Sequence, residues 1–318
     1  MTTLVTGGTG FIGSHVMRHL VNGGERPIVY DIVPNLKPIE DIVNKIEFVQ
    51  GDLLDFPQML RTIKQYNVKK IIHLAYSPID ISANNPYLGM EIDIKGTNNV
   101  FEAARILDLE RVVWTSSISV SGPASYYGGE SVEVDEESPT RPSNIYGADK
   151  VLNEFVSKFY SDKYNLDIIC LRPSQVYGPG KPVERETKYP GVILNLLVEN
   201  SVNGKPFRIS YPPDVKFDWL YVKDLAKICV EASYVKKPTH NLFIIGGGSN
   251  SLKTATDYVK EFIPSARIEF GNEPPLGIVN RFSTARAQKE IGFKLKYPLR
   301  EGIRDLIQFI KNKDGIQD

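Results

Sequence analysis

Tyr146 and Lys150 stand four residues apart in Asn144-Ile145-Tyr146-Gly147-Ala148-Asp149-Lys150. The segment opens a stretch of helical character running to about Tyr164, so both side chains project from one face of it. A phenol ionises near about pH 10 and is a poor base at neutral pH. A neighbouring ammonium, joined by the positive charge of an oxidised nicotinamide, favours the phenolate by on the order of one to three units. Tyr146 can then remove the proton of a secondary hydroxyl as hydride leaves the same carbon, with Ser117 hydrogen-bonding the carbonyl oxygen that develops and Lys150 also holding ribose hydroxyls. Run backwards, the trio reduces a ketone. Tyr-x-x-x-Lys alone is frequent on ordinary surface helices. Its weight here comes from position, 29 residues past Ser117 in a Ser-rich strand end and downstream of a dinucleotide-type loop.

That loop is Thr6-Gly7-Gly8-Thr9-Gly10-Phe11-Ile12-Gly13, set between the apolar Thr3-Leu4-Val5 and a helix-like stretch from Ser14. Gly7, Gly10 and Gly13 fit G-x-x-G-x-x-G, and Gly8, Gly10 and Gly13 fit G-x-G-x-x-G. A strand thus turns tightly into a helix whose bare N-terminus attracts a pyrophosphate. Asp31 lies 18 residues past Gly13, at the end of the apolar run Pro27-Ile28-Val29-Tyr30. A carboxylate there can accept both ribose hydroxyls of an adenosine and would repel a 2′-phosphate, which selects NAD over NADP. Asp52 and Leu53 follow a third strand candidate, Ile46 to Val49, and suit an adenine, the acid on its exocyclic amine and the leucine on its ring.

Further strands are expected at Lys70 to Ala75, Arg111 to Thr115, Asp167 to Leu171 and Asn241 to Ile245, with helices at Phe56 to Asn67 and at Tyr87 to Leu107, the latter interrupted near Lys95-Gly96-Thr97. Strands alternating with helices predict an α/β protein with a doubly wound parallel sheet of Rossmann type. Its ligand lies beyond the carboxyl ends of the strands, where Gly7, Asp31, Asp52 and Ala75 all fall. Residues 1–173 are read as the NAD-binding domain, with about 215–247 returning to it. Residues 174–214 and 248–318 are read as a smaller α/β substrate domain, and the charged stretch 181–190 as a mobile loop or lid.

Composition excludes other classes. The 318 residues carry 38 basic and 38 acidic side chains and 42% hydrophobic residues. A balanced globular chain has no excess positive charge for a nucleic-acid backbone, and no basic cluster marks a membrane surface. No apolar run reaches the roughly 18 residues of a membrane span, and no leader is evident, so a soluble cytoplasmic protein is expected. Cys170 and Cys229 form no Cys-x-x-Cys and read as buried thiols in a reducing compartment. His15, His19, His73 and His240 form no metal-ligand pattern, and no metal is expected.

Taken together, the motifs resemble the extended short-chain dehydrogenases/reductases, the NAD-dependent epimerase/dehydratase family, with its UDP-glucose 4-epimerase-like members. They are TGGTGFIG at 6–13, Asp31, GDL at 51–53, HLA at 73–75, KGTNNVFEAA at 95–104, TSSISVSG at 115–122, YGADK at 146–150, LRPSQVYGPG at 171–180 and DWLYVKDLA at 218–226. The resemblance implies Ser117 as hydroxyl partner, Tyr146 as acid/base and Lys150 as its tuner. It implies NAD contacts from Gly7, Gly10, Phe11, Ile12, Gly13, Asp31, Ile32, Asp52, Leu53, Leu74, Ala75, Thr115, Tyr146, Lys150 and Pro173. Tyr76, Ser119, Gln175, Tyr177 and Trp219 are the candidates for contacting substrate. It further implies a homodimer formed through the helices at Tyr87–Leu107 and Tyr146–Tyr164.

The departures concern substrate more than cofactor. Gln175 stands where nucleotide-sugar members usually carry Asn, and Phe217 where many carry a phosphate-gripping Arg. Lys188, Arg208, Arg281 or Arg286 would have to compensate. Ile118-Ser119 replaces the Asp-Glu pair of 4,6-dehydratases, disfavouring a dehydratase. Asp93 replaces an Asn, and Ser121 a Tyr. The expected activity is NAD-dependent oxidation and re-reduction of a secondary hydroxyl on a sugar or nucleotide-sugar. The alternatives are net oxidation or reduction of a smaller polyol, sugar or hydroxy acid and, more remotely, a non-catalytic NAD sensor.

Overall fold

The computed structural model describes residues 2–77, 79–129, 132–183 and 189–314. Its centre is a seven-stranded, all-parallel sheet in the order β10-β6-β5-β4-β1-β2-β3. The strands are β1 (Thr2–Thr6), β2 (Ile28–Asp31), β3 (Glu47–Gln50), β4 (Val68–His73), β5 (Arg111–Thr115), β6 (Ile168–Pro173) and β10 (Leu242–Ile245). β5 and β6 are buried along their whole length, as strands with helices on both faces must be. On one face, Val5, Val29 and Ile169 pack with α1 (Phe11–Asn22), α8 (Val222–Ala232) and α10 (Ala285–Ile291). On the other, Leu4, Ile28 and Trp114 pack with α2 (Phe56–Gln65), α5 (Thr97–Ile106) and α6 (Ile145–Tyr164). The sheet reverses direction of construction between β1 and β4, which opens the ligand crevice at their carboxyl ends.

A second core lies C-terminal to the sheet. It joins α7 (Pro190–Val202), α9 (Leu252–Phe262) and α11 (Leu299–Asp314) to two small sheets, β7-β9-β11 (Gln175–Tyr177, Lys216–Tyr221, Ser249–Ser251) and β8-β12 (Phe207–Ile209, Ile268–Phe270). Of residues 215–247, α8 and β10 return to the main sheet, against which α10 also packs, whereas β9 belongs to this second part. The reason is its alternation: Phe217, Trp219 and Tyr221 point into the second core, while Leu220 points into the first.

The helix after β4, expected to be interrupted near Lys95-Gly96-Thr97, is interrupted at Glu91–Gly96. Ile79–Asn84 (α3) and Pro86–Met90 (α4) precede a π turn, Glu91–Gly96, before α5. Gly96 closes that turn against Leu53, where a Cβ would come within 2.9 Å of the leucine Cβ. Much of the proposed lid, residues 184–188, lies outside the described residues.

Candidate functional site

The glycine loop is built for close approach. Gly7 takes a left-handed φ of +69°, and a Cβ on it would lie 2.8 Å from the amide nitrogen of Ala75. A Cβ on Gly13 would lie 2.0 Å from the Gly7 carbonyl oxygen. α1 begins at Phe11 with Gly10 as its N-cap, no side chain capping it and no acid in its first turn. Its positive end is thus left open, which fits a pyrophosphate. Asp31 stands at the end of β2, held by Thr9: the Thr9 hydroxyl and amide donate to Oδ2 at 2.6 and 3.1 Å, and the Val33 amide to Oδ1 at 3.2 Å. Thr9 thus takes both lone pairs of Oδ2, and Oδ1 retains one for a ribose hydroxyl. Thr9 was not singled out from sequence, since any residue fits between the glycines.

Ile32 is exposed beside Asp31. Asp52 caps the chain by accepting from the Leu54 amide at 2.9 Å, and Asn99 Nδ2 donates to the Leu53 carbonyl at 2.7 Å. Leu74, Thr115 and Pro173 line the carboxyl ends of β4, β5 and β6, with Ala75 just beyond. His73 bridges Thr6 and Thr97 at 2.7 and 3.0 Å, and burial lowers its pKa to about 3, so it is a neutral structural histidine.

The three residues expected to carry the reaction meet at the end of β5. Asn144 caps α6 through the Gly147 amide, which fixes the first turn that carries Tyr146. Ser117 is part-buried; its hydroxyl donates to Ser119 Oγ at 3.1 Å and interacts with the Tyr146 phenol. The Tyr146 ring packs on Tyr76, centroids 5.9 Å apart. Burial pushes the Tyr146 phenol well up, and the Ser117 hydroxyl draws it the other way. Lys150 is 3% exposed and donates to the Thr115 carbonyl at 3.0 Å, its ammonium 5.5 Å from the Tyr146 ring centroid. The ammonium is turned toward the strand end, so it faces the phenol through space and not through a hydrogen bond.

Two substrate-side expectations need correction. Tyr177 and Trp219 are 0% and 1% exposed in the second core, where the Trp219 indole donates to the Pro190 carbonyl. Neither faces the crevice. Phe217, at 1% exposure, is likewise a core residue. Of the basic residues expected to replace a missing guanidinium, Arg281 pairs with Glu133 and Arg286 with Glu137, Arg208 is exposed on β8, and Lys188 lies outside the described residues. Gln175 remains partly open on β7, and Tyr76 and Ser119 adjoin Tyr146 and Ser117. The structure adds one cation that sequence reading missed. Lys181, directly after Gly178-Pro179-Gly180, sits 5.0 Å from the Phe11 ring centroid, and burial lowers its pKa to about 8.

A seven-stranded parallel sheet whose first strand turns through a glycine cradle into an uncapped helix defines a dinucleotide-binding α/β protein. The chain belongs to the NAD dependent epimerase/dehydratase family, whose family model matches residues 3–246. Its members are NAD-dependent enzymes. The UDP-glucose 4-epimerase of Mycolicibacterium smegmatis is 28% identical over 98% of this chain and 99% of its own. Among solved structures, a Thermus thermophilus UDP-glucose 4-epimerase in complex with NAD is 25% identical, with a TM-score of 0.84 over 98% of this chain and 99% of that one. An L-threonine dehydrogenase from Cupriavidus necator, 20% identical, shares the fold with a TM-score of 0.87 over 98% and 100%.

Proposed function

We propose that the chain oxidises a secondary hydroxyl of a sugar or nucleotide-sugar and returns the hydride to the resulting carbonyl, as an epimerase does. The observation that carries this reading is the meeting of Ser117, Tyr146 and Lys150 at the end of β5, beside the open glycine cradle at the end of β1. Oxidised NAD supplies the hydride acceptor and a positive charge beside the phenol. Gly7, Gly10, Phe11, Ile12 and Gly13 would hold its pyrophosphate, Asp31 and Ile32 its adenosine ribose, and Asp52 and Leu53 its adenine. Leu74, Ala75, Thr115 and Pro173 would flank the rest. Lys150 has spent one of its three N–H donors on Thr115 and has two left for ribose hydroxyls. Tyr146 takes the substrate proton and later returns it, while Ser117 donates to the carbonyl oxygen. Ile118-Ser119 still argues against dehydration.

The near full-length match to a UDP-glucose 4-epimerase supports a nucleotide-sugar. A second reading, net oxidation of a smaller polyol or hydroxy acid, is favoured by the burial of Phe217 and the ion pairing of Arg281 and Arg286, which leave no guanidinium free for a diphosphate at those positions. Exposed Tyr87 and Met90 on α4 and Leu152, Phe155 and Phe159 on α6 form an apolar face that supports a homodimer through these helices. No helix among the described residues is long and apolar enough to cross a membrane, and Cys170 and Cys229 are free and buried, which fits a reducing cytoplasm. Tyr146→Phe tests the mechanism: turnover falls by on the order of 10²–10⁴ with NAD affinity kept. Turnover equal to the parent's would refute it.

A further inference from the structure

Lys181 follows the turn Gly178-Pro179-Gly180, and that turn is pinned from two sides. From α7, Asn195 Oδ1 accepts the Gly178 amide and Nδ2 donates to the Gly178 carbonyl, both at 2.9 Å. From α1, the His15 ring meets the Pro179 carbonyl through Nε2 at 2.9 Å. Burial lowers the His15 pKa to about 4, so the ring is neutral and donates its Nε2 proton without adding a charge. The Lys181 stem runs beside the first turn of α7, where a Cβ on Gly191 would lie 3.3 Å from Lys181 Cε. The fold thus holds the lysine against two helices.

Its ammonium is held at the open end of α1. It sits 5.0 Å from the centroid of the Phe11 ring, and Phe11 is the first residue of the helix, directly after the N-cap Gly10. Contact with a ring leaves all three N–H donors unspent. No charged neighbour among the described residues offsets the burial of this lysine, and no acid stands in the first turn of α1. Two positive features, the ammonium and the helix end, therefore converge without a carboxylate of the first turn to balance them. Such a pairing becomes favourable when both face one anion.

We propose that Lys181 is a cofactor-contacting residue whose ammonium closes on the pyrophosphate of NAD at the N-terminus of α1. The proposal rests on the glycine cradle holding that pyrophosphate. Lys181 supplies the full charge that backbone amides lack, and as a point charge it suits a phosphate oxygen. A substrate's nucleoside diphosphate offers the same chemistry. The contact with Phe11, on the helix that carries the cradle, assigns the lysine to the cofactor.

The test is calorimetric titration of the full chain, stripped of carried-over NAD, with NAD, ADP-ribose, adenosine and UDP. Lys181→Met keeps the stem and removes the charge. It should weaken NAD and ADP-ribose by about tenfold or more, and leave adenosine, which has no diphosphate, bound as in the parent. Lys181→Arg should recover most of the loss. Lys181→Gln carries the same expectation should Lys181→Met fail to fold. NAD affinity equal to the parent's overturns the proposal. So does an equal loss for adenosine, which marks a merely structural lysine, or a loss confined to UDP, which moves the contact to substrate. A parent that binds ADP-ribose no more tightly than adenosine sinks the cradle reading and the proposal together. An ADP-ribose preference that survives intact in Lys181→Met sinks the proposal alone.

Discussion

The Lys150 ammonium donates to the Thr115 carbonyl at 3.0 Å, although Tyr146 lies one turn before it on the same helix. The lysine thus ties α6 to the end of β5 and reaches the phenol only through space. Lys150→Met, which fills the buried volume without the charge, should weaken NAD binding through lost ribose contacts and lower turnover by at least tenfold more than it lowers stability-limited yield. NAD titration and steady-state kinetics on the folded variant would check this; unchanged NAD affinity would contradict a cofactor role for Lys150.

Gly13→Ala places a methyl 2.0 Å from the Gly7 carbonyl, so the loop must open. The variant should lose retained NAD on desalting and melt at a lower temperature, because bound ligand stabilises the native state. Measuring NAD per protomer alongside the melting temperature separates the two effects. Full NAD retention would show that the cradle tolerates what the geometry forbids.

Much of this was legible in the sequence because it was local. The strand at Arg111–Thr115 and the helix from Phe56 fall where their apolar patterns and flanking residues put them. The tight turn at Gly7 and Gly13 and the strand-end position of Asp31 were readable because both follow from local backbone shape. Trp219 and Tyr177 were misread as pocket residues because an aromatic near a cofactor motif looks the same whether it faces a ligand or a second core; only the pairing of β7 with β9 decides. The direction of Lys150 is likewise a tertiary fact, set by its hydrogen bond to the Thr115 carbonyl 35 residues earlier in the chain.

Asp218 gives a pH-dependent stability. Burial raises its pKa to about 6, with both the Gly247 and Gly248 amides donating to Oδ1. Between about pH 4 and that value the folded chain keeps a proton that the unfolded chain has lost. The stability this group contributes is therefore present at low pH and disappears as pH rises through about 6. Asp218→Asn keeps the Oδ1 acceptor and removes the buried charge, so its stability relative to the parent should improve from pH 4 to pH 7 by on the order of 2 kcal/mol. Denaturant melts at the two pH values read this out; a pH-independent difference would contradict it.

The apolar face of α4 and α6 predicts the oligomer. Phe155 is 69% exposed, and Phe155→Asp should convert a dimer to a monomer at micromolar concentration in analytical ultracentrifugation, with the far-UV spectrum unchanged. A parent that already sediments as a monomer would remove the interface from the account.

Return of the hydride to the carbon it left is the central claim. The direct measurement follows UDP-hexoses deuterated at the carbon that inverts, incubated with NAD-loaded protein. The account predicts product of inverted configuration that keeps its deuterium, with no free NADH accumulating. Stoichiometric release of NADH with loss of the label would contradict it and assign the chain to net dehydrogenation.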